Sequence, residues 1–392
     1  MIKEFHPPAR ILMGPGPCNV DPRVLLAMAK PLLGHLDPEF IKIMHRIQHL
    51  LRLVFGTQNP LTIPISGTGS AGMEAAFVNL VEPGDKVLIC VNGYFGERMT
   101  HVVERCGANL RILSGPWGEP FDPGKIEKEL KSFRPRVLAL VHAETSTGVL
   151  QPLEDLSKIL KKYPDTYLLV DAVTSLGGHP VKVDEWGIDV CYSGSQKCLS
   201  SPPGLAPITF SSRAVEKINK RSQKVQSFYL DMSVLGKYWG NEQTYHHTAP
   251  VSMNYALLES LRIIFEEGLE ARYERHRRNH LGFVGGIEAM GLKMLVAEPY
   301  RLWSLNTVAI PDGIDDLKVR KKLLGEYNLE IGGGLGELKG KIWRVGLMGY
   351  SSSESNVIFF LTALEQALRE QGFEVPRGAG ATAAKDSFSQ KK

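Results

Sequence analysis

Three groups of residues in this chain could take part in chemistry on a bound organic molecule. The glycine-rich stretch from Gly67 to Gly72 lies between an apolar run and a helical pattern, so its backbone N–H groups are expected to bind an anion such as a phosphate. Asp171 ends the apolar run TYLLVD, where a buried carboxylate needs a cationic partner. Lys197 follows an apolar strand pattern, and a lysine in a partly apolar cleft can act as a neutral amine nucleophile or base.

Taken singly, each of these groups also has an ordinary structural explanation. The glycine stretch satisfies the G-x-G-x-x-G pattern of dinucleotide-binding proteins, but the next strand ends in Asn92 and Gly93 rather than in an acidic residue that would hold a ribose. It could also be a tight turn. Asp171 could cap a helix, and Lys197 could be a solvated surface charge. Together, however, the three supply a phosphate anchor, a carboxylate for a pyridinium nitrogen and an amine for an aldehyde, which is what pyridoxal 5′-phosphate requires.

Alternating strand-like and helical segments between about residues 60 and 210 are expected to position these groups. Continuous apolar runs are typical of strands that are buried on both faces. The runs are LTIPIS, KVLICVN, NLRILS, RVLALVH, TYLLVD and DVCYSGS. This alternation predicts an α/β fold with a mostly parallel, doubly wound sheet, in which ligands bind beyond the carboxyl ends of the strands.

The remaining segments predict how the chain is divided. An amphipathic helix is expected over residues 38–55, and residues 253–290 have a helical pattern rich in arginine and glutamate. The predicted divisions are an N-terminal extension (1–20), a large domain (21–270), a smaller α+β domain (271–375) and a tail (376–392). Because PRGAGATAAKDSFSQKK lacks apolar periodicity, we expect the tail to be disordered.

Composition excludes several classes of protein. The chain has 392 residues with a net charge of +4, which is too small an excess to indicate nucleic-acid binding. No apolar run reaches the roughly 18 residues that span a bilayer, and the N-terminus has no signal-peptide pattern. Five cysteines without CxxC pairs predict neither a disulfide framework nor a zinc site, so we expect reduced thiols in a cytoplasmic protein. We assign no metal site, since His246 and His247 are adjacent on an extended segment.

The chain resembles the class V aminotransferases of fold type I, and among them the alanine–glyoxylate and serine–pyruvate aminotransferases. The resemblance runs from about residue 10 to residue 370, with the motifs in the same order. It implies a pyridoxal-phosphate enzyme with a large domain, a smaller C-terminal domain and a homodimeric active site. The matching segments are GPGPCNV (14–20), SGTGSAGMEAA (66–76), ETSTGVLQPL (144–153), LLVDAVTSLGG (168–178), DVCYSGSQKCLSSPPG (189–204), YHHTAPV (245–251) and RVGLMG (344–349).

The resemblance also implies cofactor-binding roles at the matching positions. Lys197 would bind the cofactor covalently and move a proton during catalysis. Asp171 would keep the pyridine nitrogen protonated. Six further residues of the same subunit and two of the neighbouring subunit would hold the phosphate or contact the ring: Thr68, Gly69, Ser70, Gln196, Thr145 and Val173, and from the neighbour Tyr245 and Thr248.

Three more residues are assigned by the resemblance, and two of them, Phe95 and Arg344, also have an ordinary structural explanation. Phe95 would stack on the cofactor ring where many members have tryptophan, although it could also be a core residue. Arg344 would bind the substrate carboxylate through two hydrogen bonds, or it could belong to a structural ion pair. Gly14, in the first matching segment, is expected to lie at the substrate site.

The expected activity is transfer of an amino group from alanine or serine to glyoxylate or pyruvate by a ping-pong mechanism. A single obvious carboxylate-binding arginine favours substrates with small neutral side chains. A 3-hydroxykynurenine-type transaminase would share nearly all the motifs and stays open, and an NAD-dependent oxidoreductase is the alternative from another class. Cysteine desulfurases of the same fold need a cysteine in the C-terminal region, whereas every cysteine here lies at or before Cys198.

Overall fold

A computed structural model describes residues 4–390, and the secondary structure of that part of the chain is as follows. The strands are Ile11–Leu12 (β1), Leu61–Ser66 (β2), Lys86–Val91 (β3), Asn109–Ser114 (β4), Val137–Val141 (β5), Ala143–Glu144 (β6), Val149–Leu150 (β7), Tyr167–Asp171 (β8), Val190–Tyr192 (β9), Leu205–Phe210 (β10), Leu305–Ala309 (β11), Leu329–Glu330 (β12), Gly332–Gly333 (β13) and Ile342–Gly346 (β14). The helices are Pro22–Met28 (α1), Pro38–Phe55 (α2), Gly69–Leu80 (α3), Tyr94–Arg105 (α4), Pro123–Phe133 (α5), Glu154–Leu160 (α6), Ser212–Asn219 (α7), Met232–Trp239 (α8), Val251–Glu267 (α9), Leu269–Ala289 (α10), Asp316–Tyr327 (α11), Glu354–Arg369 (α12) and Ala379–Ser389 (α13).

A seven-stranded sheet with the order β2-β10-β9-β8-β5-β3-β4 forms the centre of the larger part of the molecule. The neighbours from β9 to β4 pair in parallel, whereas β10 is antiparallel to both β9 and β2. The prediction of a mostly parallel α/β sheet is therefore confirmed. The strand β10 was not predicted, and its sequence LAPITF contains Pro207, a residue that usually argues against an interior strand.

Two clusters of buried side chains cover the faces of this sheet. One includes Met73, Phe77 and Met99 from α3 and α4, and the other includes side chains from α2, α5 and α9. Every residue of β5 and β8 is buried, which explains why the apolar runs are continuous. The helix predicted at 38–55 is confirmed as α2. The helical pattern at 253–290 is divided into α9 and α10 by Gly268, whose φ is +87°.

The C-terminal part has its own core around the three-stranded sheet β11-β14-β13. The N-terminal strand β1 pairs in parallel with β12. This pairing places the chain after β1 beside the C-terminal sheet, where the backbone N–H of Gly346 donates to the carbonyl of Met13 at 2.7 Å. The domain boundaries at residues 20, 270 and 375 stay a prediction, and the first three residues of the N-terminal extension lie outside the described residues.

The expectation of a disordered tail is wrong for residues 379–389, which form α13. This helix packs on α10 through small residues: a side chain at Gly282 would come within 2.2 Å of the Phe388 ring, and one at Gly286 within 2.9 Å of the Gly380 carbonyl oxygen. Since glycine and alanine make most of this contact surface, the helix has no strong apolar periodicity. Residues 391 and 392 of the predicted tail lie outside the described residues.

In the described part of the chain, no helix combines the length and the apolar character needed to cross a membrane.

Candidate active site

A cavity of about 180 Å³ opens at the carboxyl ends of β5, β8 and β9. Such a position is where α/β sheets usually bind ligands. Nine of the residues predicted from the sequence line this cavity: Thr68, Gly69, Ser70, Phe95, Thr145, Asp171, Val173, Gln196 and Lys197. Four further residues line it that were not predicted: Met73, Arg98, Val141 and Tyr192.

Asp171 is a buried carboxylate fixed by two hydrogen bonds. Its Oδ1 accepts from the backbone N–H of Val173 at 2.8 Å, and its Oδ2 accepts from the hydroxyl of Tyr192 at 2.7 Å. Burial raises the pKa of Asp171 to about 7, although both hydrogen bonds act in the opposite direction. A positively charged ligand atom at this carboxylate would reverse the effect of burial, so the site favours a cation.

Lys197 brings an amine into the same cavity. Its side chain is 8% exposed, and its Nζ donates a hydrogen bond to the backbone carbonyl of Pro15. Burial lowers the pKa of Lys197 to about 8, and the positive charge of Arg344 adds to this effect. The adjacent Gly16 has a φ of +106°, and a Cβ atom on it would lie 2.7 Å from Nζ, so a side chain there would displace the amine. The lysine is thus a partly neutral amine in a confined position.

The end of the cavity at the start of α3 is suited to an anion. Helix α3 begins at Gly69, and the side chain of Thr68 makes no hydrogen bond to the first turn, so the N–H groups of this turn are not capped by it. Within residues 4–390, the buried Oε1 of Gln196 also has no hydrogen-bond partner. A buried amide without a partner is costly, and either end of the amide can face the cavity. A bound phosphate would accept hydrogen bonds from these groups, so the residues fit pyridoxal 5′-phosphate.

The ring of Phe95 is positioned by Glu144, whose role was not predicted. Glu144 is fully buried, and its carboxylate accepts hydrogen bonds from the backbone N–H groups of Phe95 at 3.2 Å and Gly96 at 3.3 Å. It also accepts one from the hydroxyl of Ser146 at 2.6 Å. Burial raises the pKa of Glu144, while these donors act against the rise. Because Gly93 before α4 has no side chain, Glu144 caps this helix from a distant segment.

Arg344 lies beside the cavity with guanidinium hydrogen bonds to carbonyl groups. Its Nε donates to the carbonyl of Gly333 at 2.7 Å, and its Nη1 donates to the carbonyl of Thr145 at 3.3 Å. Burial lowers the pKa of Arg344 to about 10, and Glu144 opposes that shift. Within residues 4–390 no carboxylate lies in salt-bridge contact with Arg344, which differs from the structural ion pair considered as its alternative role.

Gly14 lies against the strand that carries Arg344. A Cβ atom on Gly346 would come within 2.1 Å of the Gly14 carbonyl oxygen, so the two backbones are in close contact. Gly14 does not line the cavity described above, and its role at the substrate site stays a prediction.

Tyr245 and Thr248 are not brought to this cavity by their own chain. They lie in the segment between α8 and α9, where Tyr245 is 57% exposed and Thr248 is also exposed. The ring of Tyr245 packs 5.2 Å from that of His35. Their expected contact with the phosphate of a neighbouring subunit stays a prediction.

The chain is similar in sequence and structure to known aminotransferases. The family model described as Aminotransferase class-V matches residues 25–338. The crystal structure of alanine–glyoxylate aminotransferase from Nostoc sp. superposes with a TM-score of 0.93 and 52% identity, covering 94% of this chain and 98% of that one. The ureidoglycine–glyoxylate aminotransferase structure from Bacillus subtilis has a TM-score of 0.97 and 43% identity, covering 99% of this chain and 100% of that one. Alanine–glyoxylate aminotransferase from Callithrix jacchus is 41% identical over 94% of this chain and 90% of its own length.

Proposed function

The chain belongs to the aminotransferase class-V family, and from this premise we propose that it transfers an amino group from alanine or serine to glyoxylate or pyruvate by a ping-pong mechanism. It is a fold type I aminotransferase that depends on pyridoxal phosphate. The observation that carries the proposal is that Lys197, Asp171 and the first turn of α3 meet in one cavity. Glyoxylate is favoured as the acceptor because the names of the relatives from Nostoc and from Bacillus subtilis both include it.

Different side chains of this cavity would have different roles in binding the cofactor and in moving a proton. Pyridoxal phosphate, when bound, supplies an aldehyde for the amino group and a ring that takes up electrons. Asp171 would hold the protonated ring nitrogen, and the first turn of α3 with Gln196 would hold the phosphate. Because the pKa of Lys197 is lowered to about 8, part of its amine is neutral near pH 7, and Nζ can accept and return a proton.

Arg344 supports the choice of small substrates. Its guanidinium can bind a carboxylate through two parallel hydrogen bonds, after exchanging the carbonyl contact to Thr145. Alanine, serine, glyoxylate and pyruvate each have one carboxylate and a small remainder. A dicarboxylate would require a second cation near the substrate.

A second candidate donor is (S)-ureidoglycine. The Bacillus subtilis relative named for that donor is 41% identical to this chain and matches 98% of it, and its structural agreement is as close as that of the alanine–glyoxylate enzyme. The names of the two relatives share the acceptor glyoxylate and differ in the donor. A 3-hydroxykynurenine donor is kept as a further alternative.

A panel of donors and acceptors tests the proposal. We expect the highest kcat/KM for alanine or serine with glyoxylate, with (S)-ureidoglycine, 3-hydroxykynurenine and aspartate as competing donors and pyruvate as the second acceptor. The Lys197→Ala variant gives the background rate. A higher kcat/KM for (S)-ureidoglycine would replace the donor, and a preference for aspartate would contradict the single-carboxylate argument.

The ping-pong order has a separate test. Initial rates at several fixed concentrations of glyoxylate should give parallel double-reciprocal plots. In addition, enzyme mixed with alanine alone should form one equivalent of pyruvate per site before any acceptor is added. Intersecting plots without that half-reaction would contradict the mechanism.

The proposal includes a homodimer with shared active sites. It is supported by the exposure of Tyr245 and Thr248 away from their own cavity, because an exposed aromatic residue is available to a second subunit. Analytical ultracentrifugation should show a dimer at micromolar concentrations. A monomer with full activity would contradict the shared site.

The proposed location is the cytoplasm. All five cysteines are free thiols in the structure, as is usual for proteins of a reducing compartment. Cell fractionation with detection of the chain tests this part of the proposal, and recovery in an oxidising or membrane-bounded fraction would contradict it.

A further inference from the structure

Arg98 is a cation in the cofactor cavity to which none of the motifs assigned a role. It lies on α4 one turn after Phe95 and lines the cavity together with Ser70. Its Nη1 donates a long hydrogen bond to Ser70 Oγ at 3.4 Å. The guanidinium carbon lies 5.0 Å from the centre of the Phe95 ring and 5.3 Å from that of Tyr94, so the group is held over two aromatic rings.

The guanidinium group of Arg98 can donate further hydrogen bonds. In the part of the chain that the structure describes, the side chain of Arg98 donates one hydrogen bond, to Ser70, and no carboxylate lies in salt-bridge distance of it. Two other arginines near the large sheet are paired with carboxylates, Arg213 with Asp189 at 2.6 Å and Arg111 with Glu129 at 3.1 Å. A guanidinium has five N–H donors, so Arg98 can bind an anion without first losing an ion pair.

The positive charge at this end of the cavity is smaller than the negative charge of a bound phosphate. A phosphate monoester carries about −1.5 to −2 charges at pH 7, whereas the start of a helix supplies about +0.5. Thr68, Ser70 and Gln196, which line this end, are neutral. Lys197 is engaged with the Pro15 carbonyl, and Asp171 adds a carboxylate farther along the cavity. The side chain that can offset the remaining negative charge is Arg98.

We propose that Arg98 binds the phosphate of the cofactor and thereby makes the cavity selective for the phosphorylated form of vitamin B6. This inference deepens the proposed function, because it rests on the cofactor of the family and not on the identity of donor and acceptor. Arg98 is held over the rings of Phe95 and Tyr94, which pack edge to face, and it reaches the anion from the side of Ser70.

Cofactor titration tests the proposal without relying on turnover. The full-length protein is freed of cofactor, and its dissociation constants for pyridoxal phosphate and for unphosphorylated pyridoxal are measured by fluorescence. Arg98→Met should weaken pyridoxal phosphate binding by about 10- to 100-fold, the usual range for a lost charge-assisted hydrogen bond. It should leave pyridoxal binding unchanged. Inorganic phosphate should compete with pyridoxal phosphate less well in the variant than in the wild type.

Two further variants separate charge from structure. Arg98→Lys keeps the charge without the planar group and should recover part of the lost affinity. Arg105→Met changes an exposed arginine of the same helix outside the cavity and should alter neither constant. An equal loss of affinity for both forms of the cofactor, or an equal loss in the methionine and lysine variants, would overturn the proposal.

The same cation could instead serve a carboxylate of the substrate. In that case Arg98→Met would leave pyridoxal phosphate binding unchanged and raise KM for a dicarboxylic 2-oxo acid, which would overturn our assignment. Failure of the proposed function has a different signature. Wild-type protein would then bind pyridoxal phosphate with the dependence on Arg98 intact, yet show no transamination with the donor panel.

Discussion

The cofactor cavity and the segment between α8 and α9 differ in how far their side chains are buried and held by their own chain. In the cavity, each reactive group lies at or after the end of a buried strand and is fixed within its own chain, as Asp171 is by Val173 and Tyr192. The segment that carries Tyr245 and Thr248 is largely exposed, and neither of these two residues lines that cavity. Under our proposal, the first region performs the chemistry, and the second adds affinity only when two subunits meet. Substitutions in the two regions should therefore differ in size and in kind.

The largest expected effect is that of Lys197→Ala. Loss of the amine should lower kcat by roughly 10⁴-fold or more, and borohydride treatment should no longer fix the cofactor to the protein. Lys182→Ala, which changes an exposed lysine, is the control and should behave as the wild type. Retention of substantial activity in the first variant would show that the cavity is not the reaction centre.

Asp171→Asn should have the next largest effect. A neutral amide cannot stabilise a protonated ring nitrogen, so we expect kcat to fall by roughly 10²- to 10⁴-fold, while the protein still binds cofactor. Tyr192→Phe removes one of the two hydrogen bonds to the carboxylate and should lie between this variant and the wild type. If both variants kept the wild-type kcat, the carboxylate would have no part in the chemistry.

Arg344→Gln should act on substrate binding. Without the guanidinium, KM for the amino acid should rise by about 10- to 100-fold, with a smaller change in kcat. Arg320→Gln is the matched control, because Arg320 also lies against Gly333 but is paired with Asp316 at 2.7 Å. A rise in KM of equal size in both variants would point to an indirect effect on the strand.

The pH dependence of cofactor attachment tests the amine of Lys197 in the cavity without involving the exposed segment between α8 and α9. Only the neutral amine of Lys197 is nucleophilic, so the rate should rise about tenfold per pH unit and become constant above pH about 8, where the pKa of Lys197 lies. Arg344→Gln should move this midpoint to higher pH, because the positive charge of Arg344 lowers that pKa. Rapid mixing with absorbance detection measures the rate, and a profile without a midpoint near 8 would contradict the assignment.

The smallest effects are expected in the exposed segment. Tyr245→Phe and Thr248→Ala should each weaken pyridoxal phosphate binding by about 2- to 10-fold. The loss should be present at protein concentrations where dimers form and absent on dilution to monomers. A loss that is independent of protein concentration would place these residues in the site of their own chain and would remove the contrast between the two regions.

The cavity could be predicted from the sequence because its groups follow continuous apolar runs. Asp171 ends one such run, Lys197 follows another, and the glycine stretch before α3 has a recognisable pattern. Arg98 and Glu144 could not be assigned in this way. Arg98 resembles any charged helix residue, and the role of Glu144 depends on the approach of α4, which is distant in the sequence.

The sequence patterns did not predict two elements of the fold, the strand β10 and the helix α13, and each has a physical reason. The strand β10 contains Pro207, which lies opposite Pro64 of β2 in an antiparallel pair, and a pattern-based prediction penalises proline in a strand. The helix α13 buries Gly380, Ala384 and Phe388, so its contact surface consists mainly of small residues. Such a surface depends on the glycines of α10 and leaves little apolar periodicity to detect.

The closeness of Gly16 to the lysine amine has a consequence for how the sequence can vary. Its positive φ and the 2.7 Å separation mean that even alanine would be both strained and in collision with the reactive nitrogen. A saturation-mutagenesis survey should therefore find this position intolerant, although glycine has no side chain to contribute to catalysis. Variants at this position should remain folded but lose the absorbance of the bound cofactor. They would therefore be inactive although every residue assigned to catalysis is unchanged.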